Sequence, residues 1–119
     1  MRDLIMVERK QGWYGVDLDG TLAYYEGYKK EIGEPIPAMV RRVKLWLASG
    51  KTVKIFTARV AEPARNEESI SEIRKRIEDW CEKHIGQKLE VTNIKDHGLI
   101  ELWDDRAVRV EKNTGKRIR

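Results

Sequence analysis

A short apolar run, Trp13-Tyr14-Gly15-Val16, leads straight into Asp17-Leu18-Asp19-Gly20-Thr21, which sets two carboxylates two residues apart. Three later apolar runs also end at polar groups. Thr57 follows Val53, Ile55 and Phe56; Lys95 follows the segment Leu89 to Thr92; Asp104 and Asp105 follow Leu99 to Trp103. Brought together, these groups suit phosphoryl transfer assisted by magnesium (Mg2+). A hard cation takes oxygen ligands and keeps several waters, so one or two carboxylates suffice, and Asp17 with Asp104 is the expected pair. The phosphoryl group needs its charge neutralised, and catalysis on it is chiefly positioning and electrostatics. Thr57 and Lys95 are the groups for that task.

The groups meet only if the elements before them lie side by side. Trp13 to Val16 reads as a buried strand, with Leu4 to Val7 as an extra strand ahead of it. Pro37 suits the first turn of a helix, and Met39, Val40, Val43, Trp46 and Leu47 recur at helical spacing up to the stop at Gly50. Lys51 to Thr57 is a second strand. From Glu67 to Ile85 the apolar positions again keep helical spacing, acidic residues open the segment and Gly86 ends it. Leu89 to Thr92 and Leu99 to Trp103 are two more strands, and Ala107 to Val110 an edge strand. Alternating strands and helices with short connections predict an α/β fold: a single Rossmann-like three-layer domain over residues 1–119, its sheet mostly parallel and its helices on both faces. Residues 112–119 would form a hairpin or a frayed tail. In such sheets the ligand sits beyond the carboxyl ends of the strands, which is where Asp17, Asp19, Thr57, Lys95 and Asp104 fall.

Composition narrows the setting. At 119 residues with 40% hydrophobic and 37% charged positions, the chain is polar for a globular domain yet outside the regime of disordered sequences. The net charge of +4 favours anionic ligands on average. Much of the excess sits at Arg109, Lys112, Lys116, Arg117 and Arg119, as a solvated hairpin and tail or a nucleic-acid contact surface would have it. A single cysteine, Cys81, rules out an intramolecular disulfide and falls on a helical apolar stripe, as a packed thiol would. No apolar run reaches membrane-spanning length, and the start lacks a signal-peptide core. A cytoplasmic protein without membrane contact is expected.

Asp17-Leu18-Asp19-Gly20-Thr21 resembles the first motif of the haloacid dehalogenase (HAD) superfamily of phosphohydrolases. Lys54-Ile55-Phe56-Thr57-Ala58-Arg59 is similar to that family's second motif, Lys95 stands where its third-motif lysine would lie, and Leu102-Trp103-Asp104-Asp105 resembles its acidic fourth motif. The resemblance implies that Asp17 is the nucleophile, forming an aspartyl-phosphate, and that Asp19 is the acid and then the base. It further implies that magnesium binds the Asp17 carboxylate, the Asp19 main-chain carbonyl and Asp104. Thr57 and Lys95 would hold the phosphate. Apart from the resemblance, Arg59 and Arg65 in the loop after Thr57 either bind an additional phosphate of the substrate or belong to a solvated loop. Gly20 would allow the sharp turn behind Asp19, and the Thr21 hydroxyl would fix it. Asp105 either joins the metal site or pairs with Arg106. The chain departs from the family pattern at Asp96-His97-Gly98, where small members often carry proline, and at Trp103, where other branches carry glycine.

Forty positions separate Asp17 from Thr57, and 38 separate Thr57 from Lys95. Neither interval has room for the cap domain common in that family. An open site implies a large phosphorylated substrate, a nucleotide or nucleic-acid end being favoured by the charge, or closure by a second copy in a homo-oligomer. Tyr24, Tyr25, Tyr28 and the loop from Arg59 to Arg65 are the segments able to touch a leaving group. Two other readings stand beside this one. A receiver-type phospho-acceptor domain uses similar groups in another order, with its acidic pair first, and gives Asp19 no role. A catalytically silent binding protein would keep the fold and the metal without turnover.

Overall fold

A computed structural model describes residues 12–119. Its elements are β1 (Trp13–Val16), α1 (Pro37–Ala48), β2 (Thr52–Phe56), α2 (Ile70–Ile85), β3 (Glu90–Thr92) and β4 (Leu99–Trp103), with 3-10 turns at Ala58–Val60 and Arg65–Glu67. The strands form one sheet in the order β3-β2-β1-β4, and every pairing is parallel. The architecture is α/β and Rossmann-like, with no separate cap domain among the described residues. The strand expected at Leu4 to Val7 lies outside the described residues.

Both crossovers, β1-α1-β2 and β2-α2-β3, step in the same direction across the sheet, so their common hand brings both helices to one face, where helices on both faces were expected. Tyr14, Val16, Val53, Ile55 and Val91 lie in matching register on that face. All but Tyr14 join the buried cluster with Val43 of α1 and Ile73, Ile77 and Cys81 of α2. Tyr14 meets Trp46 of α1 edge to face at 4.9 Å. Burial pushes the Cys81 thiol up to about 12, which fits a packed thiol.

Residues 93–98 pass along the other face of the sheet. They run from the carboxyl end of β3 back to the amino end of β4, and Trp13 anchors them. Its indole N–H donates to Asp96 Oδ1 at 2.8 Å, and its backbone N–H donates to the Gly98 carbonyl at 2.9 Å. Trp13 therefore lies buried in β1 without a helix above it.

Local chemistry sets the helix limits. Pro37 opens α1 as expected. The second helix begins at Ile70, later than the acidic residues at 67 and 68 suggest, because Ser69 caps it. The Ser69 hydroxyl oxygen accepts the Glu72 N–H at 3.2 Å, and Glu72 Oε1 accepts the Ser69 N–H at 3.4 Å. Ser69→Ala removes one partner of this box and is expected to destabilise the fold by about 1 kcal/mol. Urea denaturation measures it, and an unchanged midpoint would show that the cap contributes nothing.

Beyond Trp103 the expected edge strand does not form. Val110 makes an isolated antiparallel bridge with Arg117, flanked by Glu111 N–H to the Lys116 carbonyl at 2.7 Å and Ile118 N–H to the Arg109 carbonyl at 2.8 Å. This turned-back segment pairs with itself, and its residues stay exposed. Among the described residues, no helix is long and apolar enough to cross a membrane.

Candidate active site

The register of the sheet brings the acidic motifs together. Val16 lies opposite Trp103, and the Asp17 N–H donates to the Trp103 carbonyl at 2.9 Å. Asp17 and Asp104, each one residue beyond its strand, thus stand side by side. Val16 also lies opposite Ile55, which carries Thr57 to the same end of the sheet. Leu18, fully buried between the two partly buried aspartates, plugs the turn into the core. Asp17, Asp19, Thr57, Arg59 and Asp104 line one cleft of about 480 Å3.

Carboxylate oxygens of Asp17, Asp104 and Asp105 approach within 4.8 Å of one another. Thr21 ties the first acidic segment to the last. Its hydroxyl hydrogen is shared between Asp17 Oδ2 at 3.3 Å and Asp105 Oδ1 at 3.2 Å, while its oxygen accepts the Asp105 N–H at 3.0 Å. Gly20 has φ +91, and a Cβ there would lie 2.6 Å from Asp105 Oδ2, so glycine is needed for both the turn and the close approach. Asp105 faces Asp17, and among the described residues it makes no ion pair with Arg106. The Arg106 N–H instead donates to Asp104 Oδ1 at 2.8 Å.

Crowding marks Asp17 electrostatically. Burial, a hydrogen bond with Asp105, and the charges of Asp104, Asp105 and Asp19 push its carboxyl up to about 7. An all-oxygen, mutually repelling set of this kind fits a hard divalent cation, which would relieve the repulsion. Asp17, Asp104 and Asp105 are the side chains placed to hold it.

The Asp19 side chain turns away from that cluster. Arg59 Nε donates to Asp19 Oδ2 at 2.7 Å and Arg59 Nη2 to Oδ1 at 2.9 Å, a two-pronged bridge. Arg59 Nη1 donates to the Lys30 carbonyl at 3.2 Å, and its guanidinium lies 5.1 Å from the Tyr28 ring centroid. Burial works against the Arg59 charge, but the hydrogen bond and charge of Asp19 outweigh it and raise its pKa further. Thr57 is buried, and its hydroxyl oxygen accepts the Arg59 N–H at 3.1 Å, which leaves its hydrogen available to the cleft. The segment after Asp19 folds over this pair. Tyr24 N–H donates to the Glu34 carbonyl at 2.9 Å, and a Cβ on Gly33 would collide with the Tyr24 carbonyl oxygen.

Lys95 is placed elsewhere. It is exposed on the 93–98 crossover and is not among the residues lining the cleft. The neighbouring Asp96 is drawn to Trp13 at the opposite end of β1 from Asp17. His97 shares that exposed crossover. Tyr25 and Tyr28 line the cleft, whereas Tyr24 does not. Arg65 and Arg106 also line it. Sequence reasoning left Arg106 out of the site; its place directly after the Asp104-Asp105 pair is the signal for it.

No protein-family model and no curated protein matches the chain. A solved structure of a conserved protein coded by a locus of Bacteroides thetaiotaomicron is similar in fold. It is 22% identical, superimposes with a TM-score of 0.56, and the match covers 82% of this chain and 78% of that one. The likeness extends to the fold alone.

Proposed function

We propose that this protein is a cytoplasmic, magnesium-dependent phosphohydrolase of the HAD type that releases phosphate through an aspartyl-phosphate on Asp17. The observation that carries the reading is the convergence of Asp17, Asp104 and Asp105 beside Thr57 and Asp19 in one cleft. When bound, magnesium supplies positive charge against the phosphoryl oxygens. Asp17 attacks phosphorus through one carboxylate oxygen as the bond to the leaving oxygen breaks, and the electron pair departs with that oxygen. Asp19 gives the leaving oxygen its proton. Water then attacks the phosphorus of the aspartyl-phosphate, Asp19 takes the proton from the water, and inorganic phosphate leaves with the Asp17 carboxylate restored. One Asp19 oxygen must leave the Arg59 bridge to carry that proton. Thr57 donates its hydroxyl hydrogen to a phosphoryl oxygen. Lys95, exposed on the crossover and not among the residues lining the cleft, is assigned no step in this scheme. The preferred substrate class is a nucleotide or a nucleic-acid end, favoured by the open cleft and the positive net charge.

Phosphate release from p-nitrophenyl phosphate tests the reading. Release should require magnesium, stop with EDTA, and need about tenfold more magnesium in Asp104→Asn, the usual scale of loss when a metal-site group is removed. Equal rates with and without the metal would sink it.

A further inference from the structure

The arginines in the cleft are not equivalent. Arg59 is almost wholly buried, its side chain 6% exposed, and it directs three N–H groups at Asp19 and Lys30. Arg65 is different. It enters the cleft from the 3-10 turn Arg65–Glu67, and its guanidinium rests 4.7 Å from the Tyr28 ring centroid. Its side chain makes no hydrogen bond or ion pair with any described residue. A guanidinium laid against an aromatic ring is already ordered, so little freedom is lost when its planar fork meets an anion. Tyr28, contacted by two guanidiniums, is accordingly a support for cations.

The charges in the cleft separate by sign. The acidic floor is matched to a cation and the transferring phosphoryl group, and the bridged Asp19 and Arg59 neutralise each other; Arg65 and Arg106 face the remaining space unpaired among the described residues, and of the two only Arg65 is held against a ring. That space, within a cleft of about 480 Å3, must take the leaving group. From this placement we infer that Arg65 is an anion subsite, and that the substrate is a phosphomonoester whose leaving group itself carries a second phosphate oxyanion. The inference rests on the phosphohydrolase reading for the identity of the first phosphate. Arg65 is the residue that discriminates such a substrate from a singly phosphorylated one, through charge-assisted hydrogen bonds to the second phosphate.

The two sources of that chemistry are a small bisphosphorylated nucleotide and the phosphorylated end of a polynucleotide. Release of phosphate from adenosine 3′,5′-bisphosphate and from a 5′-phosphorylated dinucleotide, each set against adenosine 5′-monophosphate, separates them. The wild-type protein should favour at least one of the first two by about tenfold in kcat/KM, the scale of one charge-assisted hydrogen bond at an exposed site. In Arg65→Ala that ratio should fall to near one, and Arg65→Lys, which keeps charge without the planar fork, should lie between. Absence of any preference, or a preference retained in Arg65→Ala, overturns the inference. Should no substrate release phosphate, p-nitrophenyl phosphate included, the phosphohydrolase reading fails and binding still decides the subsite. Equilibrium dialysis of adenosine 3′,5′-bisphosphate against Asp17→Asn, with and without Arg65→Ala, should give about tenfold weaker binding in the double variant. Unchanged binding overturns the subsite.

Discussion

Asp17→Asn is expected to lower magnesium-dependent phosphate release at least about a thousandfold, because removing a nucleophile forfeits the covalent route. The same substitution is expected to raise the melting temperature of the metal-free protein at pH 8. The two effects have one origin in the crowded carboxyl. Free aspartate loses its proton near 3.8, whereas folded Asp17 holds it up to about 7. Between those values the folded state binds more protons than the unfolded state, so stability falls with rising pH. The contribution of Asp17 is therefore fully present below about pH 4, is lost progressively up to about pH 7, and leaves a destabilising charge above it. Asparagine keeps the shape without that charge. Thermal melts in EDTA from pH 4 to pH 8 should diverge, the variant gaining on the wild type as pH rises. Magnesium at pH 8 should stabilise the wild type more than the variant. Parallel pH profiles would remove the electrostatic account, and retained activity would remove the nucleophile.

Replacing Arg59 should have the largest effect on stability. Arg59→Leu strips both oxygens of Asp19 of their donors, leaves the Lys30 carbonyl without its N–H, and removes a cation from Tyr28. Breaking a buried ion pair on one side costs about 3–5 kcal/mol. The Asp19 side chain is 18% exposed against 6% for Arg59, so water takes up part of the loss and about 3 kcal/mol is expected. Catalysis should suffer separately, since an acid and base group displaced by about 1 Å can lose about a hundredfold in rate. Arg59→Lys restores a charge but not the fork, and should recover some stability without recovering the rate. Urea denaturation and kcat, measured on both variants, separate the roles. An Arg59→Leu protein as stable and active as the wild type would show that the bridge is incidental.

Most of the motif residues that line the cleft were legible in the sequence. The placement of Asp17, Thr57 and Asp104 followed from a local rule: a parallel sheet gathers the residues just beyond its strand ends, whatever lies between them in sequence. Apolar periodicity likewise located both helices, their boundaries shifting only where a side chain, Ser69, captured a backbone N–H. The part of Asp105 was open in the sequence because pairing with Arg106 and facing Asp17 are equally short reaches from a strand end. The Thr21 hydroxyl and the side-chain-free space at Gly20 decided it.

Amino-acid sequence by itself determined the α/β pattern, the acidic pairs and the place of the candidate site at the strand ends, since each depends on spacing within one segment. Tertiary structure alone decided how the groups of the candidate site are paired. It committed Arg59 to Asp19, set Arg65 on Tyr28, and anchored the crossover that holds Lys95 to Trp13 at the far end of β1. Those pairings join residues tens of positions apart, and their partners are chosen by crossover path and steric room, quantities that residue spacing along one segment does not contain.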